Sequence, residues 1–302
     1  MPEILVSGLI NIETTLQIDS FPVEYNPANY PFFGIDSTVS GVGYNVAKAL
    51  NTLGSKVEVL SLVGSDFAGE IVDKTLEDNG ITTDYVLQEL AQTPQSVILY
   101  DKTGQRQIHT DLKDIQETDY PKEICKEKLK ECSIACLTNI NFSRPFLGVA
   151  KKLNKTIAVD VHAISELEDD YNQDFMEAAD ILFMSDEELP CPPQEWAKKI
   201  QEKYNPDILV IGLGAEGALL AVKEDDYLDI IPAVKTREVV NTVGAGDSLF
   251  SAFIHFYSQS QNPYQSLRKA VVFASYKIGA KSAAEGFLTA EEVEQKYNRL
   301  DL

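Results

Sequence analysis

The sequence is poor in the residue types that bind metals or cross-link small folds. Its 302 residues include 4 Cys and 3 His. A chain of this length can bury its own core, and four scattered cysteines do not form a disulfide framework. Cys132 and Cys136 have a spacing that would place them on one helix face, but no His lies near them to complete a zinc site. We therefore expect ordinary thiols and no structural zinc.

Basic residues and long apolar segments are also scarce. The chain has 26 Lys and Arg against 47 Asp and Glu, a formal net charge of -21, which opposes non-specific binding to nucleic acid or to an anionic membrane surface. No apolar run approaches the roughly 18 residues of a membrane-spanning helix. The segment MPEILVSGLI lacks a basic region and a cleavage site, so it predicts a buried strand rather than a signal peptide. We expect a cytoplasmic enzyme without nucleic-acid or membrane partners.

Strand-like and helix-like segments alternate along the chain. Helical periodicity occurs at 44–54 and 69–80, and both segments end in a glycine suited to a helix C-cap. Apolar runs typical of strands occur at 3–10, 56–64, 95–101, 133–140, 156–162, 180–185 and 207–214. This order predicts an α/β fold with a parallel sheet covered on both faces.

Two regions interrupt this alternation. Residues 12–38 and 93–112 combine alternating apolar residues with turn residues, a pattern typical of antiparallel hairpins. We expect them to form a small β-sheet that covers one edge of the main domain as a lid.

The segment GLGAEG, residues 212–217, matches the dinucleotide-binding pattern G-x-G-x-x-G after a strand. That pattern needs a helix next, whereas the following ALLAVKEDDYLDIIPA alternates like a strand or hairpin. A tight turn is therefore favoured over an NAD site. The phosphate-binding pattern G-x-x-x-x-G-K-S/T does not occur.

The segment NTVGAGDSLFSAF, residues 241–253, suggests chemistry on an anion. Gly244, Ala245 and Gly246 precede Asp247, and apolar residues at near-helical spacing follow. Free amides at the start of a helix, together with the helix dipole, can surround a developing negative charge. Asp247 could then accept the proton of an attacking hydroxyl. A glycine-rich helix start chosen only for close packing is the alternative.

A second polar group occurs near the N-terminus. In VSGVGYNVAKALNTLG, residues 39–54, Gly41 precedes Asn45 at the start of a predicted helix. Asn11 and Glu13 follow the first strand, at the end where α/β sheets bind ligands. Amide and carboxylate groups that converge on one pocket can bind the hydroxyls of a polyol.

These segments resemble the signatures of the ribokinase-like, or PfkB, carbohydrate kinase family. NTVGAGD is similar to D-T-x-G-A-G-D, and SGVGYNVAKALNTLG is similar to G-G-x-x-x-N-x-A-x-x-x-x-x-L-G. Further similarities extend over nearly the whole chain, at 62–70, Thr93, Gly104 with Arg106, 185–188 and 213–220.

The resemblance implies a three-layer α/β sandwich with a mostly parallel central sheet, formed by one kinase domain over residues 1–302 whose lid lies at about 12–38 and 93–112. It implies transfer of the γ-phosphoryl group of ATP, with Mg2+, to a hydroxymethyl group of a small sugar. For the reaction centre it also implies Asp247 as the base, with an anion hole formed by Gly244, Ala245 and Gly246. The implied sugar contacts are Asn11, Glu13, Gly41 and Asn45. The implied nucleotide site has Gly212, Gly214, Gly217 and Thr242 beside the nucleotide, Glu188 acting on Mg2+ through water, and an adenine wall around Ala274 to Gly286.

The sequence departs from the family pattern at several positions. Asn241 replaces an Asp linked to a bound monovalent cation, which puts K+ activation in doubt. Ser185 replaces the Asn of the N-x-x-E motif, and Glu13 stands where Asp is usual. Val42 stands where ribokinases carry Lys, so ribose is not the expected acceptor.

Other functions stay open. DLKDI at 111–115, with GVGYNVA, is similar to patterns of pseudouridine kinases, which makes Asp111, and His109 on the same lid segment, candidate substrate contacts. The departures at Asn241 and Ser185 leave room for a non-catalytic sugar-binding or nucleotide-binding regulator. A homodimer that pairs through the lid is expected by analogy with the family.

Overall fold

Strands and helices alternate along most of the chain, as the sequence pattern predicts. The computed structural model describes residues 3–103 and 105–300, so Gly104 lies outside the described residues. The strands are β1 (Glu3–Ser7), β2 (Asn11–Gln17), β3 (Ile35–Ser40), β4 (Lys56–Gly64), β5 (Val86–Leu90), β6 (Gln95–Tyr100), β7 (Arg106–Asp111), β8 (Ile134–Leu137), β9 (Thr156–Ala163), β10 (Ile181–Ser185), β11 (Ile208–Gly212), β12 (Gly217–Val222) and β13 (Tyr227–Pro232). The helices are α1 (Val42–Thr52), α2 (Phe67–Asp78), α3 (Lys122–Glu131), α4 (Arg144–Lys152), α5 (Gln173–Ala178), α6 (Pro193–Tyr204), α7 (Ala245–Ser260), α8 (Pro263–Lys277) and α9 (Ala290–Arg299).

The main sheet has the strand order β13-β12-β11-β10-β9-β8-β1-β4-β5. Neighbouring strands from β11 to β5 in this order run parallel, and β12 and β13 add an antiparallel edge. Strands such as β8 are buried along their whole length. Burial on both faces explains why these strands are continuous apolar runs in the sequence.

Helices cover both faces of this sheet, and each face has its own hydrophobic core. One core includes Phe146 of α4, Phe175 of α5 and Trp196 of α6. The other includes Leu50 of α1 and Phe253 of α7, together with residues of α8 and α9. These layers confirm the predicted three-layer α/β sandwich. Within the described ranges, no helix is long and apolar enough to cross a membrane.

A second sheet, with the order β3-β2-β6-β7, forms the predicted lid. β2 pairs antiparallel with β3, and β6 with β7, as the turn-rich pattern predicts. The central pair of β2 and β6 is parallel, with Ile12 opposite Gln95. Local pattern does not predict this pair, because the chain from β3 to β5 lies between its two strands.

The predicted strand at 3–10 is divided at Gly8. β1 ends at Ser7, and the chain leaves the main sheet to begin β2 at Asn11. A Cβ on Gly8 would lie 2.9 Å from the Cα of Gly43 in α1. This backbone contact turns the chain toward the lid, and hydrophobic periodicity alone does not reveal it.

The predicted helix ends are confirmed. Gly54 and Gly80, which follow α1 and α2, have φ angles of +89° and +68°. Glycine adopts these angles at little cost, so both helices stop where the sequence places a glycine.

We expect Phe253→Ala to lower the free energy of unfolding by about 3–5 kcal/mol, because it empties a fully buried site. Phe253 is 0% exposed, and its ring centroid lies 5.3 Å from that of Phe183. Urea unfolding followed by circular dichroism measures the change. Phe67→Ala, at a side chain 76% exposed at the start of α2, is the matched control. Equal losses in the two variants would contradict the assignment of Phe253 to the core.

Candidate active site

Helix α7 begins at a glycine that makes a close backbone contact. Gly244 is the N-cap residue, with φ 74° and ψ 12° in the left-handed region. A Cβ on it would lie 2.7 Å from the carbonyl oxygen of Ala283. Gly246 and Asp247 therefore lie in the first helical turn, as predicted. Amides of a first turn have no acceptor within the helix, and the helix dipole adds a partial positive charge there.

The Asp247 carboxylate meets the first turns of helix α1. Asn45 Nδ2 donates to Asp247 Oδ2 at 2.8 Å, although 202 positions separate the two residues. Burial raises the pKa of Asp247, against the lowering influence of His162 and of the hydrogen bond from Asn45. A carboxylate with a raised pKa is a stronger proton acceptor.

A buried polar cluster from the lid and α1 adjoins Asp247. Ser40 Oγ donates to Glu13 Oε2 at 2.9 Å and lies 3.4 Å from Asn45 Oδ1. Glu13 is 7% exposed, and burial raises its pKa. Asn11 Nδ2 donates to Ser96 Oγ at 3.1 Å, whereas Asn11 Oδ1 is buried without a hydrogen-bond partner among the described residues. A buried acceptor of this kind costs free energy until a donor reaches it.

Gly41 brings the two parts of this cluster together. It is the N-cap of α1 with φ 95°, and a Cβ on it would lie 2.5 Å from the carbonyl oxygen of Leu9. The contact holds the start of β2 against the start of α1, so Asn11 and Asn45 come from adjacent backbone segments.

Lys277 is a charged member of the site that sequence reasoning missed. It is the last residue of α8, it is 0% exposed, and its Nζ donates to the carbonyl oxygen of Val243. Burial lowers its pKa to about 8, while the negative charges of Asp247 and Glu13 act in the opposite direction. No local pattern distinguishes this lysine from the exposed lysines of other helices.

The glycines predicted to border the nucleotide lie in a turn at the carboxyl end of β11. Gly212 ends β11, Gly214 has φ +54° in a short 3-10 turn, and Gly217 begins β12 with φ +113°. β12 pairs antiparallel with β13, so the G-x-G-x-x-G sequence leads into a hairpin rather than a helix. The interpretation as a tight turn is confirmed.

Arg106 joins the lid to the loop before α7. Its Nη1 donates to Thr242 Oγ1 at 3.2 Å, and its Nη2 donates to Glu187 Oε1 at 3.4 Å. The Thr242 carbonyl in turn accepts from the Ala245 amide at 3.1 Å, so this amide of the predicted anion hole is engaged in the turn. Glu188 is exposed beside this contact.

Asn241 has both ends of its amide bound to backbone. Nδ2 donates to the carbonyl oxygen of Lys281 at 2.6 Å, and Oδ1 accepts from the Val243 amide at 2.9 Å. The Ser185 hydroxyl accepts from the Glu187 amide at 3.3 Å. In the part of the chain that the structure describes, no group of three or more His, Cys, Asp or Glu could hold a metal ion.

Two predicted lid contacts lie apart from the buried cluster. His109 and Asp111 are exposed on β7, and the Asp111 carboxylate pairs with Lys113. His255, in contrast, is buried with Nδ1 2.7 Å from Ser55 Oγ, and burial lowers its pKa to about 4. This histidine stays neutral at physiological pH and satisfies a core hydrogen bond.

The segment expected to form the adenine wall packs around Arg237, which sequence reasoning did not identify. A Cβ on Gly279 would lie 2.1 Å from Arg237 Nε, and one on Gly286 would lie 2.6 Å from Arg237 Nη2. The guanidinium lies 3.9 Å from the ring centroid of Tyr276. Its Nη2 is buried without a hydrogen-bond partner among the described residues.

Comparisons with known proteins give matches over nearly the whole chain. The family model described as pfkB family carbohydrate kinase matches residues 1–290. The chain is 26% identical to the ribokinase of Lactococcus lactis, over 100% of this chain and 99% of that one, and 24% identical to the deoxyribokinase of Salmonella typhi, over 96% and 97%.

Solved structures share the fold. A microbiome-derived acarbose kinase matches with a TM-score of 0.88 at 22% identity over 99% of both chains. The ribokinase of Arabidopsis thaliana complexed with ribose and ATP matches with a TM-score of 0.81 at 20% identity over 98% of both chains. A Burkholderia thailandensis nucleoside kinase in complex with inosine matches with a TM-score of 0.78 at 16% identity, also over 98% of both.

We expect Asp247→Asn to raise the free energy of unfolding at pH 7. Burial raises the pKa of Asp247 in the folded state, so its ionised carboxylate opposes folding above the ordinary Asp pKa of about 4. The difference in free energy of unfolding between the variant and the wild type should shrink as the pH falls through the raised pKa, because the wild-type carboxyl group then becomes protonated. Urea unfolding at a series of pH values measures both effects.

Asp119→Asn, at an exposed position, controls for the loss of one charge from a chain of net charge -21. If Asp247→Asn raised the free energy of unfolding no more than the control does, or by an amount that did not change with pH, the result would contradict the burial of this carboxylate.

Proposed function

Because the chain belongs to the pfkB family of carbohydrate kinases, we propose that it transfers the γ-phosphoryl group of ATP to a hydroxymethyl group of a small sugar. The observation that carries this proposal is the 2.8 Å hydrogen bond from Asn45 Nδ2 to Asp247 Oδ2. It joins an acid at the anion-binding end of α7 to a polar cluster suited to a polyol.

The sugar binds in the cluster of Asn11, Glu13, Ser40 and Asn45. Carboxylate and amide groups can accept from and donate to several hydroxyls at once. The unpaired Asn11 Oδ1 supplies an acceptor that a sugar hydroxyl satisfies. Gly41 contributes by its close contact with the Leu9 carbonyl, which holds the start of β2, with Asn11, against the start of α1.

Asp247 accepts the proton of the attacking hydroxyl. The hydroxyl oxygen forms a bond to the γ-phosphorus, the bond from that phosphorus to the bridging oxygen breaks, and ADP leaves with the electron pair. The amides of Gly244 and Gly246, with the dipole of α7, stabilise the negative charge on the phosphoryl oxygens, whereas the Ala245 amide stays bound to the Thr242 carbonyl within the turn. The Asn45 amide orients the carboxylate, whose raised pKa favours the proton transfer.

The phosphates of ATP lie between the start of α7 and the turn after β11, beside Gly212, Gly214, Gly217 and Thr242. The described donor groups do not form a metal cage. The exposed carboxylate of Glu188 fits Mg2+, which is usually held by substrate phosphates, water and few carboxylates. Glu188 would contact it through water, and the bound ion would neutralise charge on the phosphates.

Residues 1–302 act as one cytoplasmic kinase domain, and lid closure excludes the water that competes with the acceptor. Phe32, Phe33 and Ile35, beside and at the start of β3, are 86%, 107% and 59% exposed. Exposed apolar side chains of this kind suit the pairing of two lids in a homodimer. The net charge of -21 disfavours nucleic acid and anionic membranes as partners.

A nucleoside acceptor of the pseudouridine type is the second candidate. It is favoured by the similarity of DLKDI at 111–115 to pseudouridine kinases, and Asp111 and His109 lie exposed on β7, the edge strand of the lid sheet that also contains β2 and β3. A regulator that binds a sugar or nucleotide without transfer is a third candidate, based on Asn241 and Ser185. The hydrogen bond between Asn45 and Asp247 favours a catalytic protein over a regulator.

We expect Asp247→Asn to lower kcat by about 100-fold or more while the protein remains folded, since it removes the proton acceptor and keeps the side-chain shape. The measurement is ADP release from Mg-ATP with a panel of furanoses, hexoses and nucleosides that includes pseudouridine. Turnover of one acceptor by the wild type but not by Asp247→Asn would support the kinase and identify the acceptor class.

Asp119→Asn is the control and should retain wild-type turnover. Near-normal turnover by Asp247→Asn would remove this residue as the base. Stabilisation of the wild type by a panel compound without any ADP release would favour the regulator.

A further inference from the structure

Lys277 is a buried ammonium group whose hydrogen-bond partner is a backbone carbonyl. It is 0% exposed at the C-terminus of α8, and Nζ donates to the carbonyl oxygen of Val243. Burial of a charge is unfavourable unless the surroundings compensate it. The carbonyl end of a helix favours a cation and supplies part of that compensation.

The Val243 carbonyl belongs to the loop that leads into the proposed anion hole. Val243 immediately precedes Gly244, the N-cap of α7. Both Asp247 and Glu13 act electrostatically on Lys277 and favour its charged form. The ammonium group therefore lies in the field of the proposed base and of the proposed sugar contact, in surroundings where charge is poorly screened.

The loop has no acidic side chain at the position that would hold a mobile cation. Asn241 is neutral, and both ends of its amide already bind backbone groups. An ammonium group and a potassium ion both bind carbonyl oxygens and both carry a single positive charge. Lys277 thus provides at Val243 the chemistry that a bound monovalent cation would provide.

We propose that Lys277 is a positioning residue whose ammonium group supplies this site with a monovalent cation from the chain itself, which holds the Val243 carbonyl and balances the negative charge that gathers at the start of α7. This inference rests on the proposed kinase function. The enzyme then needs no added potassium, because the cation is part of the chain.

The first test compares salts. ADP release by the wild type, with the acceptor found in the panel, is measured at one ionic strength in potassium, sodium and tetramethylammonium chloride. We expect kcat to agree within about twofold, and the thermal unfolding midpoint to be equal, in all three salts. A stimulation by potassium of about tenfold or more, or stabilisation by potassium alone, would overturn the proposal.

The second test replaces the cation. Lys277→Met keeps the length of the side chain and removes its charge, so we expect kcat to fall about tenfold or more with a smaller change in the KM of the acceptor. Lys277→Gln keeps a donor for the carbonyl without a charge, and it should lose kcat as well. It also serves as the second variant if Lys277→Met fails to fold.

Lys269→Met is the matched control, because Lys269 lies on the same helix and its Nζ bonds to Glu294 away from this loop. It should change stability but not kcat. Retention of wild-type kcat by both Lys277 variants would overturn the inference. Absence of turnover in the wild type with every acceptor would instead reject the proposed kinase function, so the two failures are distinguishable.

Discussion

Close backbone contact at two helix starts is the constraint on which the site depends. Gly244 starts α7 against the carbonyl of Ala283, and Gly41 starts α1 against the carbonyl of Leu9. A side chain at either position would collide with the backbone of a neighbouring segment. Each contact fixes one helix start, and packing of α1 and α7 in one hydrophobic core brings those starts together, where Asn45 donates to Asp247.

The same constraint places like charges together in an acidic molecule. Glu13 and Asp247 are both carboxylates whose pKa is raised by burial, in a chain of net charge -21. Such an arrangement opposes folding, and it persists because local positive potential offsets it. The dipole of α7 supplies one part of this potential and the Lys277 ammonium supplies the other. This local potential would favour an anion at the start of α7 although the overall charge of the molecule repels one.

Much of the fold could be predicted from local pattern. The predicted strand at 56–64 coincides with β4, and the glycines after α1 and α2 end those helices as expected. Prediction was incomplete where a strand changes sheets. The apolar run at 3–10 is divided because Gly8 contacts Gly43, and the parallel pair of β2 with β6 joins segments far apart in the chain. Hydrophobic periodicity describes one segment at a time and carries no information about such contacts.

The sequence by itself determined the layered α/β architecture, the lid segments and the local motifs that contain Asn11, Glu13, Asn45 and Asp247, because each depends on residue type and short-range spacing. Tertiary structure alone decided which charged groups are buried at the site and how the lid contacts the loop before α7. Lys277 becomes a buried cation only when the end of α8 meets the start of α7. Arg106 reaches Thr242 only because the lid folds over the main sheet. Burial and long-range pairing set the energy of a charge, and neither is a property of a residue's immediate neighbours in the chain.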